Sequence, residues 1–317
     1  MKKIVCAILA CLIFTLSFTA CGKKNNNNKD GPIAIIVPSA SHGWMAGIAY
    51  FAKQKCEELN LKEGSGYKLL TSANVNEQAN QIEEMINLKC SAIVLLPHTD
   101  EVSVTAQKII DADIPLIVFD RKVSSDYTAY FAGDNAGIGS YSADYLGEQL
   151  GGNGTIAVLN VPSSGSVSTE RVNAFKDVIS DKYPNINLID MTAPDFTQQS
   201  GLKTLSDILV ANNKIDAIFS IDDESSIGML QAIKDADRTD IKYITGAGGS
   251  QNYFTKIADA EQPICITATY SPSMIKDAVQ AAVNIRDGNE VKKDNIIPPT
   301  IVTKDNVSNL LDPNSPY

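Results

Sequence analysis

From Ile33 onward the chain alternates two hydrophobic patterns. Short uninterrupted apolar runs, rich in β-branched residues, are separated by longer stretches whose apolar positions recur every three or four residues. The first series of runs is IAIIVP (33–38), YKLLTSA (67–73), AIVLLP (92–97), PLIVFD (115–120) and YTAYFAG (127–133). The second is TIAVLNV (155–161), INLIDMT (186–192), AIFSID (217–222), KYITGA (242–247) and ICITATY (264–270). EQANQIEEMINL (77–88) typifies the helical stretches between them. A strand with one wet face alternates apolar and polar residues, whereas a strand covered on both faces reads as a continuous apolar run. Such runs alternating with helices predict parallel sheets buried between helix layers. The two series meet near GDNAGIG (133–139), so the expected fold is α/β, two doubly wound parallel-sheet domains.

Upstream of residue 33 the pattern changes. A basic start, MKK, leads into the apolar IVCAILACLIFTLSF and ends in TAC at Cys21. Residues 1–20 read as a secretory signal, too short and wrongly flanked for a stable membrane span. The polar, low-complexity GKKNNNNKDG that follows cannot bury anything, and residues 21–31 read as a tether. A cysteine directly after FTA resembles the lipobox of bacterial lipoproteins, whose cysteine is acylated and becomes the mature N-terminus. Phe18 stands where Leu is commoner. The expected location is the outer face of the bacterial cytoplasmic membrane, held by lipid on Cys21.

Composition narrows the function classes. Cys6, Cys11 and Cys21 belong to the leader, leaving Cys56, Cys90 and Cys265 without CxxC or Cys/His spacing. Neither a disulfide framework nor a metal site is expected, and buried small apolar residues are the simpler reading. Removing residues 1–20, with two lysines and no acid, takes the formal charge from −10 to −12. That disfavours a broad basic surface for nucleic acid or anionic lipid. About 285 residues after the tether suit two domains.

In open parallel sheets ligands bind beyond the carboxyl ends of the strands. Those positions are polar or aromatic here: His42 and Trp44 in PSASHGWMAG, Asp120 and Arg121, Asp222 and Asp223. Trp44, the single tryptophan, sits among turn-forming residues. A flat indole there can stack on the C–H face of a sugar with its N–H near water.

The order of these residues resembles the ribose-binding-like family of periplasmic sugar receptors that serve ABC transporters, from about Ile33 to Thr303. The resemblance rests on FDRKV (119–123), AGDNAGIGSYSADYL (132–146), STERVNAFKDVI (168–179), DFTQQSGL (195–202) and IFSIDDESSIGMLQAI (218–233). It implies the type 1 periplasmic-binding-protein fold, in which two lobes joined by a three-crossover hinge close over one sugar. The crossovers would fall near 133–135, 270–271 and 297–300. The N-terminal lobe would comprise 32–133 plus 271–297, and the C-terminal lobe 134–270 plus 298–317. By motif, Trp44 and Met45 occupy the aromatic pair after the first strand, and His42 a usual polar position. Asp120 and Arg121 match the family's Asp-Arg pair, Arg171 its second-lobe arginine, and Phe196 an aromatic on the other sugar face. Asp222 stands where ribose binders have Asn, Tyr270 where they have Gln, and Gly248 where an Asp is usual. Asp120, Asp222, Arg121 and Arg171 balance in formal charge, which favours a neutral monosaccharide or polyol. The departures at Met45, Asp222, Tyr270 and Gly248 argue against ribose itself. The resemblance further implies a monomer, a membrane permease as partner, no cofactor and no catalysis.

Each residue also has a purely structural reading. Trp44 could cap the edge of the core, His42 could be a turn residue, Asp120 and Arg121 a local ion pair, Arg171 a helix-surface charge and Phe196 a core aromatic. Among the three acids after the AIFSI run, the helix cap is assigned to Asp223 or Glu224 and ligand contact to Asp222. His98 is expected as an exposed rim residue, and Asp134 as a hydrogen-bonded support of the first crossover. GAGGSQ (246–251) lacks the third glycine of a dinucleotide fingerprint and any GK[ST], so its glycines read as turn and space. Three other classes share parts of the pattern: a sugar receptor feeding a signalling protein, a secreted carbohydrate-active enzyme, and a repressor core. A repressor would carry an N-terminal helix-turn-helix. For the enzyme no nucleophile elbow or Ser/His/Asp order is visible, and carboxylates beside arginines stay ionised.

Overall fold

The computed structural model describes residues 30–259, 262–312 and 315–317, so Cys21 and the signal lie outside the described residues. The first lobe opens with β1 (Ile33–Pro38), α1 (Gly43–Glu58), β2 (Tyr67–Ser72), α2 (Val75–Asn87), β3 (Ala92–Leu95), α3 (Ser103–Asp111), β4 (Leu116–Phe119) and β5 (Ala129–Gly133). The chain then crosses into α4 (Asn135–Gln149), β6 (Asn153–Asn160), α5 (Ser166–Lys182), β7 (Asn185–Thr192), α6 (Gln198–Ala211), β8 (Ala217–Phe219), α7 (Asp223–Asp235), β9 (Tyr243–Gly248), α8 (Gln251–Asp259) and β10 (Ile264–Thr269). It returns as α9 (Ile275–Arg286) and β11 (Asp294–Ile297), and crosses once more to β12 (Ile301–Val302).

The strands form two six-stranded sheets, β11-β5-β4-β3-β1-β2 and β12-β10-β9-β8-β6-β7. All pairings are parallel except that of β12, which runs antiparallel to β10. β1 illustrates why the runs are continuous. Successive side chains point to opposite faces. Ile33, Ile35 and Val37 join a cluster with Ile48 and Ala52 of α1 and Ile275 and Ala278 of α9. Ala34 and Ile36 join another, with Ile82 and Met85 of α2 and Ala106 and Ile109 of α3. The second lobe has its own core, in which Phe175 of α5 stacks on Phe219 of β8 at 3.9 Å. Cys56, Cys90 and Cys265 are buried and unpaired, as the spacing predicts.

Several helices start where the sequence supplies an acceptor. Asn74 accepts from the Glu77 N–H at α2, Thr197 from Ser200 at α6, and Asp134 from Gly137 at α4. Asp134 also donates its own N–H to the Ile297 carbonyl, so the first and third crossovers are hydrogen-bonded to one another.

Candidate sugar-binding cleft

The carboxyl ends of both sheets face a common cavity between the lobes. All ten residues singled out from the sequence line it: His42, Trp44 and Met45 after β1, Asp120 and Arg121 after β4, Arg171 on α5, Phe196 after β7, Asp222 after β8, Gly248 at the end of β9, and Tyr270 after β10. Ser164, Val167 and Ala247 also line it and were not anticipated, being small residues without a chemical signature in sequence.

A hydrogen-bonded chain crosses the cleft. Tyr270 Oη donates to Asp120 Oδ1 at 2.6 Å. Arg171 donates from Nε to Asn135 Oδ1 at 2.9 Å and from Nη1 to the Ile221 carbonyl at 2.6 Å, and its guanidinium lies 4.5 Å from the Tyr270 ring centroid. Arg171 is only 3% exposed, so the helix-surface reading fails. Asn135 extends the chain with a 3.5 Å contact to Tyr270 Oη, a role no sequence motif suggested. Tyr270 can lie there because Gly133 has no side chain: a Cβ at 133 would stand 2.3 Å from its ring. Its N–H donates to the Gly248 carbonyl, tying the second crossover to the end of β9.

Asp120 adopts φ 64°, in the left-handed region that non-glycine residues rarely enter. The surroundings hold it there: its N–H donates to Phe131 O at 2.8 Å, and its carbonyl accepts from Tyr130 Oη at 2.7 Å. Strain held this firmly is typical of functional positions. Burial raises the carboxyl's pKa, and the Arg121 guanidinium opposes that rise. Arg121 Nη1 is fixed by the His98 and Pro97 carbonyls, while Nε, 3.9 Å from Asp120 Oδ2, has no hydrogen-bond partner among the described residues. His98 is therefore half-buried rather than exposed. Its ring Nε2 sits 2.9 Å from the Ser72 carbonyl, and its own carbonyl positions Arg121. His42 is pushed down to about 4 by burial and then by Arg121, so the ring is neutral at pH 7. Its Nδ1 is buried without a hydrogen-bond partner among the described residues, and its edge meets Phe196 of the opposite lobe at 6.1 Å.

Two further expectations are corrected. Trp44 does not keep its N–H near water: Nε1 donates to the Tyr270 carbonyl at 2.7 Å, and the indole stacks on Phe119 at 6.4 Å and 11°. The ring is wall and strut together, because the indole is large enough to reach the crossover while flanking the cavity. At α7 the cap is Asp222, whose carboxylate accepts from Ser225 N at 2.8 Å. Asp223 is unavailable for capping because the Gly249 and Ser250 N–H groups and the Thr267 hydroxyl bind its carboxylate. Asp222 still lines the cavity, and burial raises it to about 8, with Asp223 and Glu224 adding to the rise. At neutral pH it is largely protonated and can donate as well as accept, so equal formal charges do not describe the cleft.

Residues 33–290 match the family model of the periplasmic binding protein domain. The chain belongs to this family. The ribose import binding protein of Bacillus subtilis strain 168 is 25% identical over 306 residues, 92% of this chain and 96% of that one. The D-apiose import binding protein of Actinobacillus succinogenes is 30% identical over 227 residues, 70% of this chain and 71% of that one. Among solved structures, a solute-binding protein of an ABC transporter from Bacillus halodurans C-125 with bound myo-inositol has a TM-score of 0.81 at 18% identity, covering 92% of this chain and 99% of that one. That likeness establishes the type 1 periplasmic-binding fold. These relatives are binding proteins of import systems, not enzymes.

Proposed function

We propose that the chain is an extracytoplasmic solute-binding protein that captures a neutral monosaccharide or polyol and delivers it to an ABC permease. The observation that carries this is a cavity walled by both lobes, with aromatic surface and hydrogen-bonding groups converging from each. Arg121 Nε and His42 Nδ1, buried without hydrogen-bond partners among the described residues, suit a guest rich in hydroxyls, which can accept and donate in one ring. The names of the relatives, importers of ribose and apiose and a binder of myo-inositol, support the same ligand class. A ligand bonded to both lobes favours their closed arrangement by its differential affinity, which is the hinge-closure mechanism.

A thermal-shift screen with D-ribose, D-apiose, D-allose, xylitol and myo-inositol tests the reading. A true ligand at a hundred times its Kd stabilises the native state by about 2.7 kcal/mol. At least one neutral compound is expected to raise the melting temperature, with ribose ranking below the best. A shift only with nucleosides, peptides or acidic sugars would sink the assignment.

The anchoring proposal rests on Cys21, in the small-residue run before the polar tether. Cys21→Ala is expected to lose incorporation of a fatty-acid analogue in cells and to move the protein into the soluble fraction. Undiminished label in the variant would refute a lipid on this cysteine.

A further inference from the structure

Gly248 is a wall of the cavity, yet it presents no side chain to a guest. The space such a side chain would take is already filled from elsewhere in the sequence. A Cβ built on Gly248 would lie 2.3 Å from Tyr317 Oη. With φ at +148°, Gly248 holds a backbone conformation that other residues rarely adopt. The Tyr317 side chain lies against α1 of the first lobe, where a Cβ at Gly43 would come within 3.5 Å of its ring and a Cβ at Gly47 within 3.6 Å of its Cβ. One phenol thus spans from the first helix of one lobe to the last residue of β9 in the other. Its backbone is pinned by Ser315, whose hydroxyl donates to the Tyr317 carbonyl at 2.6 Å.

Tyr317 is 8% exposed, and its Oη is buried with no hydrogen-bond partner among the described residues. Leaving a buried hydroxyl unpaired is costly, so such a group normally has a partner. Burial, then the neighbouring Asp223, Asp222 and Glu224, hold the phenol protonated, with Arg171 opposing. It is therefore a donor beside a cavity wall that lacks a side chain of its own.

We propose that Tyr317 is a ligand-reading residue of this cleft, its hydroxyl donating to an oxygen of the bound sugar or polyol across Gly248. The inference rests on the function proposed above and adds to it a specificity determinant from outside the strand-end set. It also accounts for glycine at 248: a side chain there would displace the phenol.

The test compares wild type with Tyr317→Phe, which keeps the ring and removes only the hydroxyl. Isothermal titration uses the best binder among the five compounds of the screen, together with its single-deoxy derivatives. The expected result is a roughly tenfold loss of affinity in the Phe variant, with the unfolding midpoint of the ligand-free protein not lowered. One deoxy derivative should bind wild type and variant equally, identifying the oxygen that Tyr317 reads. Equal affinities of the two proteins for the parent compound would overturn the inference while leaving the proposed function intact. Failure of wild type to bind any of the five would reject the function itself, and this inference with it.

Discussion

Arg171→Met is expected to weaken binding of the cleft's ligand by about a hundredfold or more and to destabilise the fold at the same time. The guanidinium is buried, and its loss leaves the Asn135 amide oxygen and the Ile221 carbonyl without their donor. Each stranded acceptor costs about 1–3 kcal/mol, giving a total of about 2–6 kcal/mol in unfolding free energy. The affinity loss has a separate origin. Arg171 lines the cavity, and Tyr270, which the guanidinium covers, loses its support beside Asp120. Removing a buried charged hydrogen-bonding group costs about 2–5 kcal/mol in binding, and a hundredfold, about 2.7 kcal/mol, lies within that range. Calorimetry and urea denaturation on the same preparation separate the two effects. Arg171→Lys should fall between, because an ammonium restores charge without the planar fork. Unchanged affinity alongside a large fall in stability would reduce Arg171 to a structural strut.

Ligand-free stability should fall as pH rises from 6.5 to 8. Asp222 stands at about 8 in the fold against an ordinary 3.8, because burial penalises its charge. The folded state therefore holds a proton that the unfolded chain has released, and stability is lost as pH climbs through the folded value. Asp223, raised to about 6, acts in the same direction mainly at lower pH. His42 acts oppositely, since its folded value of about 4 lies below the ordinary 6.5, so it costs stability only below that pH. Between 6.5 and 8 the Asp222 contribution dominates, worth about 1.4 kcal/mol per unit and up to about 2 kcal/mol across the window. Melting temperatures at the two pH values give the slope. Asp222→Asn keeps the capping oxygen and should flatten it. A slope of the same size in the Asn variant would show that another group releases the proton.

The fold was legible because both faces of each sheet are covered. The run Ile33–Val37 is continuous since its odd and even residues serve different clusters. Parallel strands also end on a shared edge, so His42, Asp120 and Asp222 could be assigned to one side before any coordinates. What could not be read depends on partners distant in sequence. Three adjacent acids, Asp222, Asp223 and Glu224, all suit a cap, and only the N–H groups after β9 that claim Asp223 decide among them. Asn135 looks like an ordinary first residue of a helix until Arg171 is brought onto it. Tyr317 follows the last strand and belongs to no periodic element, so nothing local signals that its phenol reaches Gly248.

The placement of Trp44 equips the chain with an optical reporter. It is the single tryptophan in the sequence, so the long-wavelength emission comes from one ring. That ring is 7% exposed, borders the cavity, and donates its N–H to the carbonyl of the residue at the second crossover. Indole emission follows the polarity around the ring and the hydrogen bond at its nitrogen. Displacement of water from the cleft and a shift of the crossover would both therefore register in the same spectrum, without a label.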